Sequence, residues 1–375
     1  MPVHLPPDDD PRRLEIRAWL EGHPEPTNRQ LAEAGYVAPH WPEPWGLGAD
    51  PELQLIVDDE LAQAGVVRPD SPIAIGWAGP TIVAGGTPAQ QKRWLPGILD
   101  GSTEWCQLFS EPEAGSDLAS LRTRAERDGD EYVVNGQKVW STWANRSDWA
   151  ILLARTDPAA PKHKGISYFV LDMKTPGIEI RKIIEMTGGN HFNETFLTDV
   201  RIPAENRIGP ENEGWRLAQV TLGNERVSLS EGGVLWGMGP DPDECFAEIR
   251  AGGAGADPLT RQRAARLRSE TKVIELLSDK IVDAMMTGAD PGPVASIRKA
   301  LADVHGQDLM TLVKDLSGPD GMVGLQDSEA EELDPWHWGY LFSRALTIGG
   351  GTSEVQRNII GERLLGLPRE PTIER

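Results

Sequence analysis

The hydrophobic period of the chain changes twice, and that double change limits the fold more than any other feature of its 375 residues. Up to about residue 103, apolar residues recur at three- and four-residue spacing in "DPRRLEIRAWLEGH", "TNRQLAEAG", "DPELQLIVDDELAQAG" and "TPAQQKRWLPGILDG". Each opens near an Asp or Thr and closes near a Gly, the polar start and permissive stop of a helix; Thr87-Pro88 supplies an N-cap and a first helical Pro. From there to about residue 211 the runs are short and β-branched or aromatic: "YVVNGQKVW", "WAILLAR", "ISYFVLDM" and "IEIRKI". Asn135-Gly136 within the first is a strong hairpin signal. Helical spacing returns in "GWRLAQVTLGNERVSLSEGGVLWGM", "DPLTRQRAARLRSETKVIELLSDKIVDAMMTG" and "PVASIRKALADVHGQDLMTLVKDL", with "GMGPDPDECF", "AGGAGADP" and "GADPGP" as looser connections. The expected organisation is an α+β multidomain chain: a helical domain over 1–103, a β domain over 104–211 and a helical domain over 212–375.

Composition removes several function classes. A net charge of −21 repels nucleic acid and anionic membrane. Screening over about 8 Å at physiological salt leaves local arginines and helix ends free to hold an anionic ligand. Two cysteines, Cys106 and Cys245, and seven histidines without an HxH or HxxxH pair argue against a metal site. No apolar run approaches membrane-spanning length and "MPVHLPPDDDPRR" lacks a signal-peptide core, so a cytoplasmic protein without a membrane anchor is expected.

Two stretches suit a flat polar ligand. "SEPEAGSD" sets the hydroxyls of Ser110 and Ser116 in a Pro- and Gly-containing turn, which presents backbone N–H groups as well. "VWST", read as a strand, puts Trp140 and Thr142 on one face, an aromatic plane beside a hydroxyl.

Four stretches, "LFSEPEAGSDLASLRT", "GDEYVVNGQKVWSTWANRSDWAILLART", "GGNHFNETFLTDVRIPAENRIG" and "GGGTSEVQRNIIGERLLGLPRE", resemble the acyl-CoA dehydrogenase family in this order and spacing. The resemblance spans nearly the whole chain. It implies an N-terminal α domain, a central β-barrel-like domain and a C-terminal four-helix-bundle-like α domain, with FAD between barrel and bundle. By residue-to-residue transfer, Gln107, Leu108, Phe109, Ser110, Gly115, Ser116, Trp140, Ser141, Thr142, Thr352 and Glu354 contact the flavin cofactor, while Ser116, Arg226 and Gly350 border the acyl-CoA. The implied reaction is oxidation of an acyl-CoA thioester to the trans-2-enoyl-CoA. A glutamate takes the α-proton and the β-hydride goes to flavin N5, and an electron-transferring flavoprotein is the onward acceptor in fatty-acid or steroid side-chain β-oxidation.

In many members the base occupies the position of Gly350 in "IGGGTS". In the isovaleryl and long-chain types it lies on a helix one residue before an arginine, which in "TLGNERVSL" is Glu225. The helical face around Glu225 carries Ala218, Thr221, Leu222, Ser228, Leu229 and Gly232, small or apolar residues that would partly desolvate a carboxylate and make it a better base. A glycine at 350 keeps the loop N–H that faces the thioester carbonyl while removing a side chain, and so implies room for a bulky acyl group.

The match departs from the family where "RxxFG" and "QxxGG" stretches contribute FAD contacts across a subunit interface; here those regions read "DPLTRQR" and "DLSGPDG". Arg261 or Arg263 of a dimer mate, or a related partner subunit, would then supply the adenine and pyrophosphate contacts. A homo-oligomer (dimer or tetramer) and a hetero-oligomer are both consistent with this. Two alternative functions stand beside dehydrogenation: a non-catalytic subunit completing another chain's site, and a flavin oxidase or monooxygenase on the same fold.

Overall fold

The computed structural model describes residues 5–231, 234–252, 257–286, 293–319, 321 and 333–369, with backbone only at 226–231, 234, 237, 285 and 286. These form two compact units, one of residues 5–185 and 190–225, the other of 226–369 with 186–189.

The first unit begins with helices α1 (Pro11–Gly22), α2 (Asn28–Glu33), α3 (Pro51–Gln63), α4 (Gly79–Gly85, entered through the π-helical turn Pro72–Ala78) and α5 (Pro88–Leu99). The side chains of Asp10, Thr27, Asp50 and Thr87 each accept a backbone N–H at a helix start, satisfying donors that have no partner inside the helix. Arg13 and Arg17 of α1 both bond Glu60 of α3, a carboxylate only 2% exposed.

An eight-stranded sheet follows: β1 (Trp105–Leu108), β2 (Arg124–Asp128), β3 (Glu131–Lys138), β4 (Trp149–Arg155), β5 (Ile166–Asp172), β6 (Ile178–Lys182), β7 (Asn193–Pro203) and β8 (Arg207–Ile208). Its order is β6-β7-β3-β2-β4-β5-β8, with β1 parallel to β4. β4 and β5 are buried on both faces and read as continuous apolar runs, whereas β3 alternates, with Tyr132 and Val134 inward. Tyr132, Val134, Leu152, Phe169, Leu197 and Ile202 lie in the core between them.

The hairpin expected at Asn135-Gly136 is elsewhere. The β2–β3 turn is Gly129-Asp130, and Asn135-Gly136 lies inside β3, where the register against β7 shifts between Val134 and Gly136. Glycine is needed there for close approach: a Cβ on Gly136 would sit 2.3 Å from Thr123 Oγ1.

Helix α6 (Gly214–Glu231) closes the first unit, the boundary falling between Glu225 and Arg226. The second unit contains α7 (Pro242–Ala251), α8 (Pro258–Met286), α9 (Val294–Leu316), α10 (Pro335–Phe342) and α11 (Ser353–Ile359), packed around Phe246, Leu267, Leu309, Val313 and Phe342. Helix α7 corrects the reading of "GMGPDPDECF" as a connection. Asp241 accepts from Glu244 N, Glu244 reaches back to Asp241 N, and Pro242 opens the helix. Residues 253–256 and 288–292 of the other two connections, and Gly232, lie outside the described residues. Among the described residues no helix is long and apolar enough to cross a membrane.

Candidate active site

Glu225 owes its place to the packing of α6. Gly214 starts the helix where a Cβ would come within 2.6 Å of the β5 backbone, and Leu217, Ala218 and Thr221 form its buried face. Thr221 Oγ1 lies 2.8 Å from Thr81 Oγ1 and 3.1 Å from Tyr168 OH, and donates to Leu217 O, so one hydroxyl fixes α6 against α4 and β5. One turn beyond, Glu225 is half-buried on the same face, as expected from the spacing. Leu222 is half-buried; the side chains of Arg226, Ser228 and Leu229 lie outside the described residues.

On β1, Trp105, Cys106 and Leu108 are buried and Gln107 is half-buried. The Gln107 Nε2 donates to Glu225 Oε2 at 3.3 Å, joining the first residue of the expected cofactor stretch to the expected base. Phe109 is buried, Ser110 half-buried, and Gly115 and Ser116 are exposed in a loop pinched by reciprocal backbone bonds between Glu111 and Ala114.

Trp140 and Thr142 do not share a strand face. β3 ends at Lys138, and Trp140 has φ 61, a left-handed conformation that breaks the pleat and with it the two-residue alternation. The Trp140 indole is 59% exposed, its edge against Phe192 at 6.0 Å. Ser141 is buried and exchanges backbone bonds with Asn193 at 3.0 and 3.1 Å, while its Oγ has no hydrogen-bond partner among the described residues. Thr142 is half-buried in the following turn. An exposed aromatic plane, a buried hydroxyl with bonding capacity to spare, and a glycine loop whose Gly115 has open space on its Cβ side together fit a flat, hydrogen-bonding group such as a flavin.

Beneath these segments lie two residues the sequence did not single out. Lys138, wholly buried, donates to Phe109 O at 3.0 Å and to Glu111 Oε1 at 2.9 Å. Burial pulls its ammonium down to about 8. Burial, the largest single influence, pushes the Glu111 carboxyl upward, but the Lys138 charge and the hydrogen bonds from Thr123, Arg122 and Lys138 together outweigh it and hold the group below its ordinary range. No pattern of spacing marks a lysine for the interior, so this pair was not legible in the sequence.

The glycine loop belongs to the second unit. Gly350 and Gly351 have φ 63 and 93, and the buried Gln356 donates through Nε2 to both their carbonyls at 3.2 and 3.3 Å. A Cβ on Gly349 would sit 2.5 Å from Trp236, so the indole fills the space beside that glycine. Thr352 caps α11 by accepting from Val355 N, and Glu354 is exposed. Arg263 is paired with Asp315 at 2.6 Å, and Arg261 is exposed.

Family models of acyl-CoA dehydrogenase domains match most of the chain: the N-terminal domain over residues 10–102, the middle domain over 106–200 and the C-terminal domain over 212–365. The chain belongs to the acyl-CoA dehydrogenase family. It is 45% identical to the acyl-CoA dehydrogenase FadE34 of Mycobacterium tuberculosis over 90% of its own length, but spans only 46% of that longer protein. It is 39% identical to the acyl-CoA dehydrogenase IpdE1 of the same organism, covering 95% of this chain and 89% of the relative. Among solved structures, the Tcur3481-Tcur3483 steroid ACAD aligns with a TM-score of 0.79 at 30% identity, over 99% of this chain and 100% of that one. The helical, β and helical succession is therefore that of an acyl-CoA dehydrogenase, a family of flavoproteins.

Proposed function

We propose that this acyl-CoA dehydrogenase oxidises an acyl-CoA thioester to the trans-2-enoyl-CoA with Glu225 as the base, and that its domains join at 103/104 and 211/212. The observation that carries the reading is the half-buried Glu225 carboxylate bonded to Gln107 on the buried face of α6. The α C–H bond breaks, its proton goes to Glu225, and its electron pair forms the new double bond as the β-hydrogen leaves with its own pair. FAD, when bound, supplies the acceptor for that β-hydrogen and its electrons. Ser110, Ser116, Trp140, Ser141 and Thr142 hold and shield it, excluding water from the reacting carbons. Roles for Arg226 and Gly350 toward the thioester, and for Thr352 and Glu354 toward the cofactor, are proposed from the resemblance alone.

Likeness to a steroid ACAD supports a bulky, polycyclic acyl group, and an electron-transferring flavoprotein is the proposed acceptor. A second reading, that the chain works beside a related subunit, is favoured by FadE34 carrying about as much chain again, and by a solved relative named for two components.

A panel of acyl-CoAs tests the function by anaerobic bleaching of bound flavin, with the enoyl product identified by mass. Steroid-type acyl-CoAs are expected to bleach fastest. Preference for butyryl-CoA contradicts the bulky-acyl reading, and failure of every thioester, alone and with a related subunit, contradicts dehydrogenation.

A further inference from the structure

Lys138 and Glu111 bury a full ion pair, with exposures of 0% and 7%. Removing two charges from water costs several kcal/mol per ion, and an apolar pair of like volume commonly serves stability as well. Stability alone therefore does not account for the pair, and its connections indicate what else it does. Lys138 Nζ takes Phe109 O and Glu111 Oε1, while the next backbone group, Val139 N, donates to Ser110 O at 2.9 Å. Three successive residues of the Gln107–Ser116 loop are thus gripped by two successive residues at the end of β3. The chain then runs directly into Trp140, Ser141 and Thr142. The same Glu111 carboxylate accepts Arg122 N at 2.6 Å and Thr123 N at 2.9 Å, fastening the return of the loop.

We propose that Lys138 and Glu111 are positioning residues for the cofactor, a buried joint that sets the Gln107–Ser116 loop against the Trp140–Thr142 segment and so fixes the spacing of the two walls offered to the flavin. This rests on the proposal that both segments hold FAD. Neither side chain reaches the ligand. Each acts through the backbone it holds, the carbonyls of Phe109 and Ser110 on one side and the turn into Trp140 on the other. Because the joint is a charge pair with fixed partners rather than a patch of apolar contact, it admits one register between the segments, where a greasy contact would tolerate sliding.

The test compares wild type with Lys138→Met/Glu111→Leu, which removes both charges, and with Trp140→Ala. FAD affinity of the apoprotein and the visible spectrum of the bound flavin are the readouts. The double variant is expected to fold with a lowered melting temperature, because Arg122 N, Thr123 N and Phe109 O lose their side-chain partners, to bind FAD about tenfold or more weakly, and to show an altered flavin spectrum. Wild-type affinity with an unchanged spectrum overturns the proposal. Should the double variant fail to fold, the isosteric Glu111→Gln decides by the same two readouts. Weakened binding in Trp140→Ala alone condemns the joint but keeps the flavin reading; no weakening in either condemns the flavin reading itself.

Discussion

Gln107 and Glu225 stand 118 positions apart and meet through one hydrogen bond, and the proposed chemistry rests on that contact. An amide that donates to a carboxylate helps to fix its orientation. Replacing Gln107 with Leu removes that donor and should slow flavin bleaching by about tenfold. FAD affinity is expected to hardly change if the amide serves the carboxylate; a large loss of FAD with an unchanged bleaching rate would return Gln107 to the cofactor. At Gly351 the φ of 93, and a Cβ position 2.7 Å from Gln356 Nε2, make Gly351→Ala costly by about 1–3 kcal/mol in chemical denaturation. At this scale the sequence showed residue types and helical faces, so Glu225 could be placed beside Ala218 and Thr221. It could not show Gln107 turning toward it, since that contact depends on how β1 and α6 pack.

Whole elements are held by a few polar side chains. Thr221→Val removes the hydroxyl shared with Thr81 and Tyr168, and should cost about 1–3 kcal/mol of stability while slowing bleaching, since α6 carries the proposed base. A stable variant with wild-type rates would show that the helix is positioned by apolar packing alone. In the second unit, His305 of α9 is buried between Thr271 and Glu270. Burial lowers its pKa below the ordinary 6.5. The unfolded chain therefore takes up a proton that the folded one refuses, and stability falls as pH drops below about 6.5 until the folded-state pKa is reached. His305→Gln should flatten that part of the curve of unfolding free energy against pH. Elements with a capping side chain or a long period were legible from sequence: α1, α3, α5, α8 and α9 all form where expected. Three local misreadings have particular causes, the first being the left-handed φ of 61 at Trp140, which ends the strand read through "VWST". Asn135-Gly136 serves a close approach to Thr123 instead of a turn, and the Asp241 capping box started a helix that its Gly- and Pro-rich surroundings disguised.

For the whole molecule, the double change of period already implied helical, β and helical parts, because each period buries a different pattern of side chains. Assembly was not legible, since a surface that binds another chain has no period of its own. Sedimentation of the purified chain should show a dimer or larger species, or a complex with a related chain co-expressed with it; a stable, active monomer would contradict the proposed assembly. The direct test of the base is the rate of anaerobic flavin bleaching by an acyl-CoA substrate in Glu225→Gln, measured in a variant whose FAD content matches wild type. The expected rate is lower by about 10²–10⁴-fold, the loss of a general base. Bleaching at the wild-type rate would mean that Glu225 does not take the proton.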